Sequence, residues 1–184
     1  MNESVSLDAK GLRALAHPLR VQIIGLLRLY GPHTATGLAD RLGLTSGATS
    51  YHLRQLAAAG FVEEDVDRGN GRERWWRAVH RSTYFNDRDL ADQEPEATFM
   101  YLQSVINVQG ERAQRTLAAS QTMPTEWRDV FDLSDWSLRL TPQEANSLIE
   151  ELHAVVGRYR KYDAEAPDGA ERVVLVIHSL PEPS

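Results

Sequence analysis

Apolar residues recur every three or four positions over most of this chain, and that period predicts helices. The expected helices are Asp8–Leu15, Leu19–Tyr30, Thr36–Leu42 and Ser46–Ala59 in the first third. A longer one is expected over about Glu96–Ala119, and another from Thr141 to about Tyr162. Between and after them the pattern turns strand-like. Phe61–Val66 and Glu73–Val79 read as two strands around the turn-rich tip Asp67–Arg72, with Trp75 and Trp76 on opposite faces. Asp135–Leu140 alternates, with Trp136, Leu138 and Leu140 on one side, and Arg172–Leu180 is rich in β-branched residues. A short helix is expected around Trp127 and Phe131. Residues 1–7 read as a frayed start, and His33–Thr36 as a connector able to add a minimal strand to the hairpin.

Punctuation between the helices sharpens the reading. Pro18 suits a first helical turn, Gly31-Pro32 ends the second helix, and Gly43-Leu44-Thr45 makes a sharp break between the third and fourth. Two short helices across such a break form a helix-turn-helix, whose second helix lies in the DNA major groove. Around that helix, Thr49, His52, Leu53 and Leu56 share the side expected to face the core. Gly47, Ser50, Tyr51 and Arg54 share the opposite side, with Ser46, Ala48 and Gln55 at the margins. Small residues first, then polar and aromatic ones, suit approach to a groove floor and contact with phosphates and base edges. A merely solvated helix face is the competing reading. The hairpin adds Arg68, Arg72 and Arg74 as candidates for the flanking backbone or minor groove. The alternative for them is pairing with Glu63, Glu64, Asp65 and Asp67. Ser46, Ser50, Tyr51, Arg54 and Gln55 are therefore the major-groove candidates, and Thr34, Thr36 and Thr45 candidate phosphate contacts.

The run Ala14-Leu15-Ala16-His17-Pro18-Leu19-Arg20-Val21-Gln22-Ile23-Ile24-Gly25-Leu26-Leu27 resembles the opening of arsenical-resistance-repressor (ArsR)-type winged-helix regulators. Thr49–Leu56 with Ala59-Gly60-Phe61-Val62 resembles their recognition helix and its exit. The likeness covers about residues 8–80. It implies a bacterial-type dimeric transcription factor, a repressor on a near-palindromic operator. Many ArsR-type repressors sense metals, either through thiolates in the helix before the recognition helix or through carboxylate and imidazole groups on the long C-terminal helix. This chain has no Cys, and none of its six His lies in residues 96–119. No metal and no cofactor are expected.

Composition changes the picture in one respect. The net charge of −6 looks wrong for a DNA binder, but it is unevenly spread. Residues 1–85 hold 11 Lys+Arg and 8 Asp+Glu, and residues 86–184 hold 9 and 18. One end is thus mildly basic and the other acidic, as expected when only one end meets a polyanion. The absence of Cys excludes disulfides, and no apolar run is long enough to span a bilayer, so a cytoplasmic protein is the default. There is no nucleophile elbow and no phosphate-binding Gly loop, so no enzyme is expected.

The expected architecture is mainly α with a small β content. An N-terminal winged helix-turn-helix domain takes residues 1–86, an acidic linker 87–95, and a long dimerisation helix with a small α+β domain 96–184. Met100, Tyr101, Val105 and Val108 mark the expected seam of a two-fold homodimer. Trp127, Phe131, Trp136, Tyr159 and Tyr162 are candidates to line a small-molecule effector pocket, with a plain aromatic core as the competing reading. Double-stranded DNA is the expected partner. A protein-docking winged helix without sequence-specific DNA binding is the alternative.

Overall fold

The computed structural model describes residues 2–68, 73–159 and 165–182. They divide into two compact units, one through Gln121 and one from Thr122.

The first unit opens with strand β1 (Asn2–Ser6), where the pattern predicts a frayed start. The strand is held by a partner far along the chain. It pairs in parallel with β5 (His80–Tyr84), Val5 opposite Thr83, and the Leu7 N–H donates to the Tyr84 carbonyl at 3.1 Å. Helix α1 (Ala9–Leu15) starts at Asp8, whose carboxylate accepts the Gly11 N–H at 2.6 Å. Helix α2 (Pro18–Tyr30) is capped by His17, and Gly31 follows it with a φ of 78°. Strand β2 (His33–Thr34), α3 (Ala35–Leu42) and α4 (Ser46–Ala58) come next. Then β3 (Val62–Glu64) and β4 (Trp75–Ala78) form an antiparallel hairpin, with Val62 opposite Ala78 and Glu64 opposite Trp76. β2 joins the free side of β4, His33 opposite Trp76, so the minimal strand does complete a three-stranded sheet.

One apolar core holds these parts together. Leu12 of α1, Ile23 and Leu27 of α2, Leu38 of α3, and Leu53 and Leu56 of α4 are fully buried. Trp76 is the indole that turns inward, while Trp75 stays half-buried. Arg28 of α2 is stapled to β5. Its Nε donates to the His80 carbonyl and its Nη2 to Thr83 Oγ1, each at 2.8 Å. Burial brings its pKa down to about 10, against the opposing pull of Tyr101.

The expected acidic linker is instead folded. Asp87 accepts the Leu90 N–H at 3.0 Å and caps α5 (Arg88–Gln93), and Leu90 is buried in the core. Pro95 then opens α6 (Pro95–Ala119), which packs on α1 and α2. Both helix starts follow capping chemistry that acidic composition concealed. The first unit therefore runs through α6, not to residue 86.

The second unit holds α7 (Thr125–Arg128) and α8 (Pro142–Gly157). The expected capping box is present. Thr141 Oγ1 accepts the Glu144 N–H at 3.3 Å, and the Glu144 carboxylate accepts the Thr141 N–H at 2.8 Å. The two expected strands are not. Residues 135–140 and 172–180 carry no ladder, and among the described residues of this unit none is buried. A strand needs a neighbour's backbone and a covered face, and neither stretch has them. The α+β description of this region gives way to helices and irregular chain among the described residues. The expected end of α8 at Tyr162 lies outside the described residues.

Candidate nucleic-acid interface

Helix α4 is presented by the turn before it. Gly43 adopts φ 65°, ψ 35°, the left-handed geometry that stops α3 and that a side chain disfavours. The Leu44 N–H returns to the Ala39 carbonyl at 3.0 Å, so the turn is closed. Thr45 caps α4, its Oγ1 accepting the Ala48 N–H at 3.3 Å. The inner side is the one the pattern predicts, since Thr49, His52, Leu53 and Leu56 are all buried.

The outer side is open. Ser46, Gly47, Arg54 and Gln55 are exposed, Tyr51 is 53 % exposed, and Ser50 is half-buried. The Arg54 guanidinium rests on its own helix, its Nε donating to the Ser50 carbonyl at 3.3 Å. Of the threonines, Thr36 and Thr45 are exposed. Thr34 is half-buried and caps α3, accepting the Gly37 N–H at 3.1 Å.

The wing arginines have acid partners. Arg74 pairs with Glu64 at 3.0 Å and lies over the Trp76 ring at 5.8 Å; Arg68 pairs with Asp65 at 3.5 Å. Arg77, which sequence reasoning did not single out, pairs with Glu63 at 2.9 Å. All three side chains remain at least half exposed. The Arg74–Glu64 and Arg77–Glu63 pairs are open on both sides and therefore weak, so a phosphate can displace those carboxylates at small cost, whereas Asp65 is buried and holds Arg68 more firmly. Arg72 lies outside the described residues.

Under the recognition helix sits a cluster that the linear pattern gave no reason to assemble. The His17 and His52 rings are 4.5 Å apart, centroid to centroid, and Tyr51 stands edge-on to His52 at 5.3 Å. Arg20 acts electrostatically on both imidazoles and on Tyr51. His17 Nδ1 accepts the Leu19 N–H at 3.2 Å, which leaves its proton on Nε2. Burial, then Arg20, holds His17 below the usual imidazole pKa; burial, then His17 and Arg20, does the same for His52. Both rings are neutral at pH 7.

The expected dimer residues fall differently. Tyr101 is only 7 % exposed and meets Phe85 edge-on at 6.0 Å, inside its own unit. Val105 also packs on that core, Val108 is half-buried, and Met100 alone of the four is exposed. The open apolar stripe of α6 is Phe99, Leu102, Ile106 and Leu117. The period that predicted the helix could not say which of its two apolar sides the molecule itself would cover. None of the described aromatics considered for an effector pocket is buried. Trp136 is 76 % exposed, Tyr159 is exposed, and Trp127 and Phe131 are half-buried. Tyr162 lies outside the described residues. Among the described residues no three His, Cys, Asp or Glu side chains are grouped to hold a metal ion, and no helix is long and apolar enough to cross a membrane.

Three core helices, an exposed polar helix after a tight turn, and a β-hairpin beside it define a winged helix-turn-helix. Residues 15–65 match the family described as a helix-turn-helix domain, from the end of α1 through the first strand of the wing. Among curated proteins nothing matches this chain. The domain marks a DNA-binding regulator.

Proposed function

We propose that this chain is a sequence-specific transcriptional regulator that binds a near-palindromic operator as a homodimer and represses by blocking the promoter. The observation that carries the reading is the outer face of α4. Ser46, Tyr51, Arg54 and Gln55 stand exposed on a helix fixed by four buried residues, with Arg68 and Arg74 on the wing beside it. Backbone-directed arginines set register, and the helix face reads bases. Two-fold pairing is supported by α6, where Phe99, Leu102, Ile106 and Leu117 recur at helical spacing on an uncovered side. A second copy of the same helix would cover them. Repression rather than activation, and kinship with ArsR-type regulators in particular, rest on the sequence resemblance. A ligand or partner that alters the angle between two winged helices would release the operator.

Selection of genomic fragments by the purified protein tests this. The expected outcome is a shared two-fold motif with half-sites about one helical turn apart and affinity that falls steeply with salt. Fragments without a common motif, held equally well at high salt, would overturn it in favour of a protein-docking role.

A further inference from the structure

Arg20 differs from the arginines around it. In the same unit Arg13, Arg68, Arg74 and Arg77 each face a carboxylate, and Arg28, half-buried like Arg20, donates to a carbonyl and a hydroxyl. The Arg20 guanidinium has no carboxylate partner among the described residues, and its Nε is buried with no hydrogen bond. Its electrostatic neighbours are His17, His52 and Tyr51. A half-buried cation lodged among neutral rings gives up hydration and gains no counter-ion in return. Such a site is unfinished in the free protein, and an anion would complete it.

The position of the cluster says which anion. Tyr51 belongs to the exposed face of α4 and interacts electrostatically with Arg20, which puts the Arg20 charge close to the surface proposed to meet DNA. Two further donors stand in the same cluster, the Nε2–H of His17 and the phenol of Tyr51. We propose that Arg20, with His17 and Tyr51, forms a phosphate clamp that grips a DNA backbone phosphodiester beside the recognition helix. This rests on the DNA-binding reading and extends it to residues outside both the recognition helix and the wing. Guanidinium suits the task because its forked donors match two phosphate oxygens. Burial already pulls the Arg20 pKa down, with Tyr51 opposing, so an arriving anion strengthens its charged form. Gripping the backbone fixes the angle at which α4 enters the groove, independently of base sequence.

The test is fluorescence anisotropy of a labelled random-sequence duplex with full-length protein, titrated across salt, for wild type, Arg20→Gln, Arg20→Lys and Arg54→Ala. Non-specific binding suffices, because the phosphate term does not depend on sequence. Arg20→Gln is expected to weaken binding about tenfold at low salt and to reduce the slope of log K against log salt by about one. Arg20→Lys should restore the slope. The thermal midpoint of Arg20→Gln should equal or exceed that of wild type, since the replaced cation lacks a partner in the free protein; a residue serving only the fold would lower it. Unchanged affinity and slope in Arg20→Gln, while Arg54→Ala weakens binding, would overturn the clamp and leave the DNA reading standing. Wild-type protein that binds no duplex overturns both. Phosphorus NMR with inorganic phosphate separates a free-anion site. Broadening that depends on Arg20, with duplex affinity unmoved by Arg20→Gln, would also overturn the clamp.

Discussion

Arg54 and His52 are two residues apart on one helix and show how a single element carries two kinds of chemistry. Arg54 is exposed and held only by its own helix, so its loss removes a contact and no packing. Arg54→Ala is expected to weaken binding of a selected operator about tenfold or more with an unchanged melting temperature. A gel shift indistinguishable from wild type would show that the residue is only solvated. His52 is buried against His17, with Arg20 acting on both. In the unfolded chain each imidazole takes a proton near pH 6.5, while in the fold burial and neighbouring charge hold both below that value. The unfolded state therefore binds more protons in this range. Stability is fully present above about pH 6.5 and is lost as pH falls from there toward the lowered folded values. The melting temperature should drop between about pH 7.5 and 5.5, above the range where most carboxylates titrate. His17→Asn keeps a capping acceptor and should flatten the dependence. A melting temperature level across that window in wild type would disprove the cluster's role.

At the scale of the element, α4 depends on its two ends as much as on its faces. Gly43 supplies the left-handed residue and Thr45 the cap, and between them they aim the helix. Thr45 is also a candidate phosphate contact, and the two roles are separable. Thr45→Ala should cost about 1 kcal/mol in urea unfolding, whereas Thr45→Ser should restore the cap. If Thr45→Ser keeps both stability and operator affinity, the hydroxyl is what matters; if Thr45→Ala leaves stability untouched, the cap contributes nothing. In α6 the element scale settles what residue type leaves open. Tyr101 and Ser104 turn into the unit while Phe99, Leu102 and Ile106 turn out, although all but Ser104 are apolar or aromatic.

At the scale of the whole molecule, the open stripe on α6 and the exposed face of α4 belong to one unit, so pairing and DNA contact are expected to be linked. Ile106→Lys places a charge in the middle of the stripe. It should yield a monomer by light scattering and bind an operator of paired half-sites far more weakly than wild type, with little change in melting temperature because Ile106 is exposed in the single chain. A dimer that survives the substitution would move the interface elsewhere. In the second unit Trp136, Leu138, Val173 and Leu175 are exposed in segments that carry no ladder.

What the sequence determined by itself was local. The break at Gly43, the cap at Thr45, the inward set Thr49, His52, Leu53 and Leu56, the hairpin, and the Thr141–Glu144 box all follow from relations within a few residues. Near-neighbour geometry is written directly in the order of side chains, which is why it could be read. Tertiary structure alone decided whatever depends on a partner far along the chain. It paired β1 with β5, drew the acidic stretch 87–95 into the first unit, turned Tyr101 inward, and set His17 against His52. It also left residues 135–140 and 172–180 without a ladder. A periodic pattern states that a face is apolar or that a segment favours an extended backbone. Which surface covers that face, and whether any strand lies alongside, depends on where the rest of the molecule comes to lie.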